Sequence, residues 1–259
     1  REAAHGRPPA QPTPRRRKSR EPHATRCPPH GRSLGDRPHP RHPFSPRGVT
    51  DVAAAYAARA AEYVDVVGSM TAVHPSDRHL VETWAAGASG PVLDAGCGPG
   101  HWTHHLHQRG VDIRGFDLVP AFIDGARATY PGVRFDLGSI DAIDENDGAV
   151  GGILSWFSTI HHEPEHIAVP LSEFARVLLP GGTLLIGYVD GEEVEPFDHA
   201  VTRAYRWPAS QLQSRLEQAG FDVIETHRRS ERGRRPVGAV LCERRSPRND
   251  DNRSDVSRG

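Results

Sequence analysis

Lysine and methionine are almost missing from this chain: Lys18 is the sole lysine among 32 basic residues, and Met70 is the sole methionine. That bias is the one a GC-rich genome imposes. Valine codons can serve as starts in such genomes, so Val49 is expected to begin the natural protein. Cysteine is scarce as well. Cys27, Cys97 and Cys242 are scattered and make neither a disulfide framework nor a zinc-binding spacing, so a reduced, cytoplasmic protein is expected. No apolar run is long enough to span a membrane, and no signal-peptide core is present. Residues 1–48 are nearly free of large apolar side chains, rich in proline, and set twelve Arg or Lys against Glu2, Glu21 and Asp36. A segment of that composition cannot bury a core. Its charge would suit nucleic acid or a membrane surface, but the arginine bias and a start at Val49 are a plainer account, and neither partner is expected. Residues 245–259 are polar too. What remains, residues 49–244, is the size of one folded domain.

Within that domain the most informative stretch runs from Pro91 to Gly100. Val92 and Leu93 are strand formers, Asp94 stands where the strand gives out, and Gly96, Gly98 and Gly100 permit a sharp turn and close ligand approach before a helix starting at His101. The spacing differs from the dinucleotide fingerprint G-x-G-x-x-G, because His101 occupies the place of its third glycine. A second strand, Val111 to Leu118, ends in Asp117, which stands roughly 20 residues past the loop, where a Rossmann-like unit places an acid on ribose hydroxyls. Val133 to Leu137 reads as a third strand and the apolar run Ala149 to Trp156 as a fourth, buried on both faces. A helix over Val169 to Leu178, stopped by Pro180-Gly181-Gly182, precedes a fifth strand, Thr183 to Tyr188. A helix from Ser210 to Ala219 then leads to an antiparallel pair, Phe221 to Thr226 and Val237 to Cys242. Seven strands interleaved with helices predict a doubly wound α/β domain.

The run Asp94-x-Gly96-x-Gly98-x-Gly100 resembles motif I of the class I S-adenosylmethionine (SAM) dependent methyltransferases. Trp156 to His161, together with Leu179-Pro180-Gly181-Gly182, resembles a large group of actinobacterial small-molecule methyltransferases. The likeness extends from about Val52 to Cys242 and includes Phe197-Asp198-His199-Ala200 and Tyr205-Arg206-Trp207. The resemblance implies a Rossmann-like seven-stranded sheet with an antiparallel last strand, SAM as cofactor, and methyl transfer to a small-molecule acceptor at O or N. It implies Asp94, Gly96, Cys97, Gly98 and Gly100 at the methionine moiety, Asp117 with Leu118 at the ribose, and Trp156 in the crevice. The family often carries an acid where Ser139 stands, so adenine is expected against the backbone of Ser139 and Ile140, with Asp141 as an alternative. Neither the Asn/Asp/Ser-Pro-Pro-aromatic motif of DNA amino-methyltransferases nor the Pro-Cys of C5-cytosine enzymes follows the fourth strand.

A hydroxyl or amine acceptor can also need a proton removed, and a neutral imidazole works near pH 7. His161 is the candidate for that base or for orienting the acceptor, with His162 and His199 behind it. An N-terminal helix from about Asp51 sets Val52, Tyr56, Ala60, Tyr63 and Val67 on one face. Similar proteins use such a helix as a lid with a tyrosine near the transferred methyl, so Tyr56 and Tyr63 are candidates there. In the clusters His101, His104, His105, His107 and His161, His162, His166, helical spacing puts His101 with His105, His104 with His107 and His162 with His166 on shared faces, but there is no matching cysteine set and no clearly placed carboxylate partner, so no metal is expected. Two other functions stay open: a non-catalytic SAM-binding regulatory protein on the same fold, and a nicotinamide-dependent oxidoreductase.

Overall fold

The computed structural model describes residues 46–246; Cys27 and all but the inner ends of the two tails lie outside them. Helices α1 (Pro46–Ala58) and α2 (Ala60–Val67) come first, followed by α3 (Pro75–Gly87), whose start is capped by His74 Nδ1 accepting from the Ser76 N–H at 3.2 Å. Strand β1 (Val92–Ala95) then runs through α4 (His101–His107) to β2 (Ile113–Asp117), and α5 (Pro120–Thr129) leads on to β3 (Arg134–Leu137). Next come β4 (Val150–Trp156), α6 (Ala168–Val177) and β5 (Leu178–Asp190), the longest strand. A hairpin of β6 (Glu195–Asp198) and β7 (Arg203–Trp207) precedes α7 (Ala209–Gln218), β8 (Phe221–Arg229) and β9 (Val237–Arg244).

The strands form one sheet in the order β3-β2-β1-β4-β5, parallel throughout. Beyond β5 lies β9, antiparallel to it, and β8 is antiparallel to β9 at the edge. This is the expected sheet, including the antiparallel last strand. The central strands are buried on both faces, which is why β1 and β4 read as continuous apolar runs and not as alternations. On one face α3 packs Val81, Trp84 and Ala85 against Leu154, Leu185 and Ala239. On the other, Leu171, Phe174 and Val177 of α6 and Leu212 and Leu216 of α7 meet Ile153, Leu184, Ile186 and Val240. The residues of the first face alternate in sequence with those of the second, as a pleated strand requires.

Three features differ from the sequence expectation. The sheet has nine strands because the β6–β7 hairpin, paired to the end of β5 through Val189↔Arg206 and Asp190↔Trp207, adds two. The β6 sequence Glu-Pro-Phe-Asp is short and largely exposed, and a proline at an edge hides a strand from pattern reading. Pro180-Gly181-Gly182 does not separate α6 from the strand: α6 ends at Val177 and β5 begins at Leu178, so the run lies within the strand, across an irregularity in its pairing with β4. The N-terminal helix is broken at Arg59 (φ −123°, ψ 18°) into α1 and α2, and α1 begins at Pro46, ahead of the expected boundary.

Candidate functional site

At the end of β1 the chain turns through Gly96, Gly98 and Gly100, with φ of +80°, +52° and +81°. The three glycines are not equivalent. A Cβ on Gly96 would lie 2.4 Å from Ser158 Cβ, and one on Gly100 would lie 2.6 Å from the Phe135 ring. Both are small because protein presses on them. Of the three only Gly98 has free space, its nearest neighbour being Tyr63 at 4.0 Å, so it is the one with room on its Cβ side. Cys97 between them is 5% exposed and packs inward against Gly115 and with Ile123, Ala126 and Phe135, so only its backbone can face the crevice.

The two acids of the motif play different parts. Asp94 is 2% exposed, and its Oδ2 accepts from Thr103 Oγ1 at 2.6 Å. Burial raises its carboxyl to about 7, against the opposing pull of the Thr103 bond. It therefore braces the loop to α4 from below. Asp117 is pushed up by burial and held back by backbone donors: Oδ2 accepts from the Gly98 N–H and Oδ1 from the Val119 N–H, each at 2.9 Å. The register of β2 beside β1 brings this carboxylate to the one glycine with open space. Leu118, half-buried, follows directly.

Past β4 the chain enters the segment that joins the rest of the site. Ser155 Oγ and Ser158 Oγ lie 2.7 Å apart beneath the glycine loop. Phe157, the one non-glycine residue with positive φ among the described residues (59°), turns the chain out of the strand, a conformation that costs energy and is held by its surroundings. Its ring meets the half-buried Trp156 edge to face, with centroids 5.3 Å apart. His161 Nδ1 lies 2.7 Å from the Arg203 carbonyl oxygen. A carbonyl can only accept, so Nδ1 carries the proton. Burial lowers this imidazole to about 4, so at neutral pH its Nε2 is a bare lone pair. Tyr56 fills it, its hydroxyl donating at 2.8 Å.

Tyr56 thus closes α1 over the crevice. Its ring packs on Tyr63 of α2 at 5.2 Å, on Phe122 of α5 at 5.8 Å and on His161 at 5.4 Å. Burial raises both phenols, and the nearby Asp117 adds to it. Val52, Ala60 and Tyr63 are half-buried with Tyr56, as the helical spacing predicts, while the Val67 side chain lies outside what is described. His199, in the β6–β7 turn, stands 5.2 Å from the His161 ring, so the hairpin comes up beside this histidine. Phe122, Arg203 and the hairpin backbone escape sequence reading, because what they supply is position and not a motif.

Ile140 is buried and Ser139 half-buried in the loop after β3. Ser139 Oγ accepts from the Asp141 N–H at 3.2 Å, and Asp141 Oδ1 accepts from His162 Nε2 at 2.8 Å, so both side chains are engaged within the protein. The histidines of α4 disperse: His104 stacks on Tyr130 with centroids 4.2 Å apart, and His105 bonds Glu82 at 2.7 Å. Trp102 is 3% exposed and packs in the α3-side core. Among the described residues no group of three or more His, Cys, Asp or Glu could hold a metal ion, and no helix is long and apolar enough to cross a membrane.

Residues 92–182 match the family model of a methyltransferase domain. An uncharacterized methyltransferase of Mycobacterium tuberculosis is 38% identical over 96 residues, 36% of this chain and 37% of that protein. The malonyl-acyl carrier protein O-methyltransferase of Yersinia pestis is 32% identical over 139 residues, 52% of this chain and 48% of that protein. The chain thus spans between about a third and about half of the length of these relatives. The crystal structure of the Burkholderia thailandensis 1,6-didemethyltoxoflavin N1-methyltransferase, with 1,6-didemethyltoxoflavin and S-adenosylhomocysteine bound, shares the fold at a TM-score of 0.63. It is 18% identical, over 76% of this chain and 89% of that one. The glycine loop after β1, the sheet order with its antiparallel last strand and the matched family model agree: residues 92–182 belong to the methyltransferase domain family, and the described residues share the fold of the methyltransferase structure.

Proposed function

We propose that this protein transfers a methyl group from SAM to a small-molecule acceptor at oxygen or nitrogen. The observation that supports the reading most directly is the meeting of Asp117 with Gly98. A half-buried carboxylate ends β2 beside the single loop glycine that has open space, as a ligand with a ribose diol and a flexible chain would need. The residues present fit that ligand. Asp117 would take the ribose hydroxyls, with Leu118 beside it. The Gly96–Gly98 backbone would take the methionine end over Asp94, and the Ser139–Ile140 backbone the adenine, while Trp156 would wall the crevice. SAM supplies an electrophilic methyl and its own leaving group, so the protein's work is to position the acceptor and exclude water.

Tyr56, Tyr63 and Phe122 would do the excluding. His161 would meet the acceptor: its Nδ1–H is fixed on Arg203, and Nε2, now filled by Tyr56, can accept from an incoming hydroxyl or amine as the lid yields. The two relatives with named reactions methylate at O in one case and at N in the other, so they leave the atom open.

Calorimetric titration with SAM, S-adenosylhomocysteine and NADH tests the reading. Micromolar binding of the first two is expected, weakened about 10- to 100-fold by Asp117→Ala, the range of a charge-assisted hydrogen bond. Binding of NADH alone would move the protein to redox chemistry. Release of S-adenosylhomocysteine with a screened acceptor, lost in His161→Ala while SAM still binds, would separate an enzyme from a SAM-binding regulator.

A further inference from the structure

His161 and His162 are adjacent, and their side chains part. His161 serves the lid and the hairpin. His162 reaches the other way, its Nε2–H donating to Asp141 Oδ1 at 2.8 Å, with the two side chains 14% and 6% exposed. Asp141 belongs to the short loop after β3. Within that loop the Ala142 N–H donates to the Ser139 carbonyl at 3.2 Å, and the Asp141 N–H to Ser139 Oγ at 3.2 Å. Its far end is anchored separately, because the Ile143 N–H donates to Glu173 Oε2 at 2.9 Å and Glu173 is gripped by Arg176. The loop is attached to the body of the protein at its near end by the Gly138 N–H donating to the Asp117 carbonyl at 3.0 Å, at its far end by Glu173 and Arg176 of α6 on the Ile143 N–H and carbonyl, and between them by His162 after β4. Of these side chains, His162 is the one that grips the Ser139–Ala142 turn itself, through Asp141.

We propose that His162 is a positioning residue for the adenine end of the site, holding Asp141 and through it the Ser139–Ile140 backbone where a purine edge is read. The inference rests on the crevice being the SAM site. Its physical basis is preorganisation. Recognition by backbone N–H and C=O groups has no side chain to adjust, so affinity depends on how firmly the loop is set before the ligand arrives. A tetrapeptide turn with only internal bonds would have to be ordered on binding. A carboxylate buried against an imidazole removes that cost. It also explains why the acid of this loop is turned into the protein and not toward the ligand.

The test is calorimetry of the full chain with two probes: S-adenosylhomocysteine, and 5′-methylthioadenosine, which keeps the adenosine and lacks the amino-acid end. His162→Ala and Asp141→Ala should each weaken both probes by a similar factor of about 10- to 100-fold, the scale of one buried hydrogen bond to a charged group. The double variant should lose little more than either single one. His162→Gln, which keeps an N–H donor, should recover most of the affinity. Denaturant midpoints of each variant separate loss of fold from loss of placement, and Asp141→Asn, whose side-chain oxygen still accepts, offers a milder variant that should bind nearly as wild type.

Unchanged affinities in folded His162→Ala, with Asp117→Ala still weakening S-adenosylhomocysteine, would overturn the proposal and leave the site reading intact. A loss confined to S-adenosylhomocysteine would overturn it as well, by placing the effect at the methionine end. Indifference of S-adenosylhomocysteine to Asp117→Ala would remove the site reading itself, and the role of His162 with it.

Discussion

Gly98 and Gly100 both have positive φ, yet alanine should harm them differently. At Gly100 a methyl would collide with the Phe135 ring at 2.6 Å and Ala126 Cβ at 3.0 Å, inside the cluster that seats α5 on β3. Strain in φ and overpacking add there, and Gly100→Ala should lower stability by about 2–4 kcal/mol. At Gly98 the methyl enters open space, so Gly98→Ala meets only the φ cost of about 1–2 kcal/mol. Its methyl would instead stand on the ligand side, and Gly98→Ala should bind S-adenosylhomocysteine much more weakly than its stability loss suggests. Urea denaturation beside calorimetry checks both. Equal stability losses, with binding unaffected at position 98, would mean that Gly98 does not face the ligand. The three residues share one sequence signal, and their division of labour depends on Ser158 and Phe135, which lie 62 and 35 residues away along the chain from the glycines they touch.

At the scale of elements the lid is the informative case. Among the described residues, helices α1 and α2 meet the rest of the protein through aromatic contacts of Tyr56 and Tyr63 with Phe122 and His161 and through the side-chain bond of Tyr56 to His161. Removing the hydroxyl in Tyr56→Phe keeps the ring packing and leaves Nε2 unfilled. A net hydrogen bond of about 0.5–1.5 kcal/mol corresponds to about 2- to 10-fold faster opening. Amide hydrogen exchange of α1 and α2 in the ligand-free protein should accelerate by that factor, and exchange in α6 and α7 should not change. Uniform exchange across the protein would show that the bond does not latch the lid.

The lid also marks how far sequence reading reaches. Tyr56 and Tyr63 were legible because helical periodicity places them on one face, and Asp117 because strand and loop motifs fix its position. The break at Arg59, the left-handed Phe157 and the β6–β7 hairpin were not legible. None leaves a local signature, and the hairpin's strands, four and five residues long, are too short for a period to be read. The partner of His161 was hidden for the same reason: Tyr56 is 105 residues away in sequence. His162 could be named but not placed, since the carboxylate it holds belongs to a different loop.

The balance of the whole molecule against protons follows from these buried groups. Asp94 titrates near 3.8 when unfolded and is raised by burial to about 7 in the fold. Between those values the folded protein binds the proton and the unfolded chain does not. Its contribution to stability is therefore complete below the unfolded value and is lost as pH rises toward 7. His161 and His101 act in the opposite sense. Burial lowers each from 6.5 to about 4, so the stability they confer is present above 6.5 and is lost as pH falls toward 4. The two trends overlap, and a single stability curve would blend them.

Comparison with Asp94→Asn isolates the carboxyl, since the histidines are common to both proteins and the amide can still accept from Thr103. Relative to that variant, the wild type should lose stability as pH rises from about 4 to 7, by up to about 1.4 kcal/mol per pH unit. Urea titrations at half-unit steps across that range would measure the slope. A constant difference would mean that Asp94 stays ionised in the fold, its bond to Thr103 and the loop dipoles outweighing burial. The acid under the loop would then be a permanent negative charge beneath the glycine turn, not a proton-bearing brace.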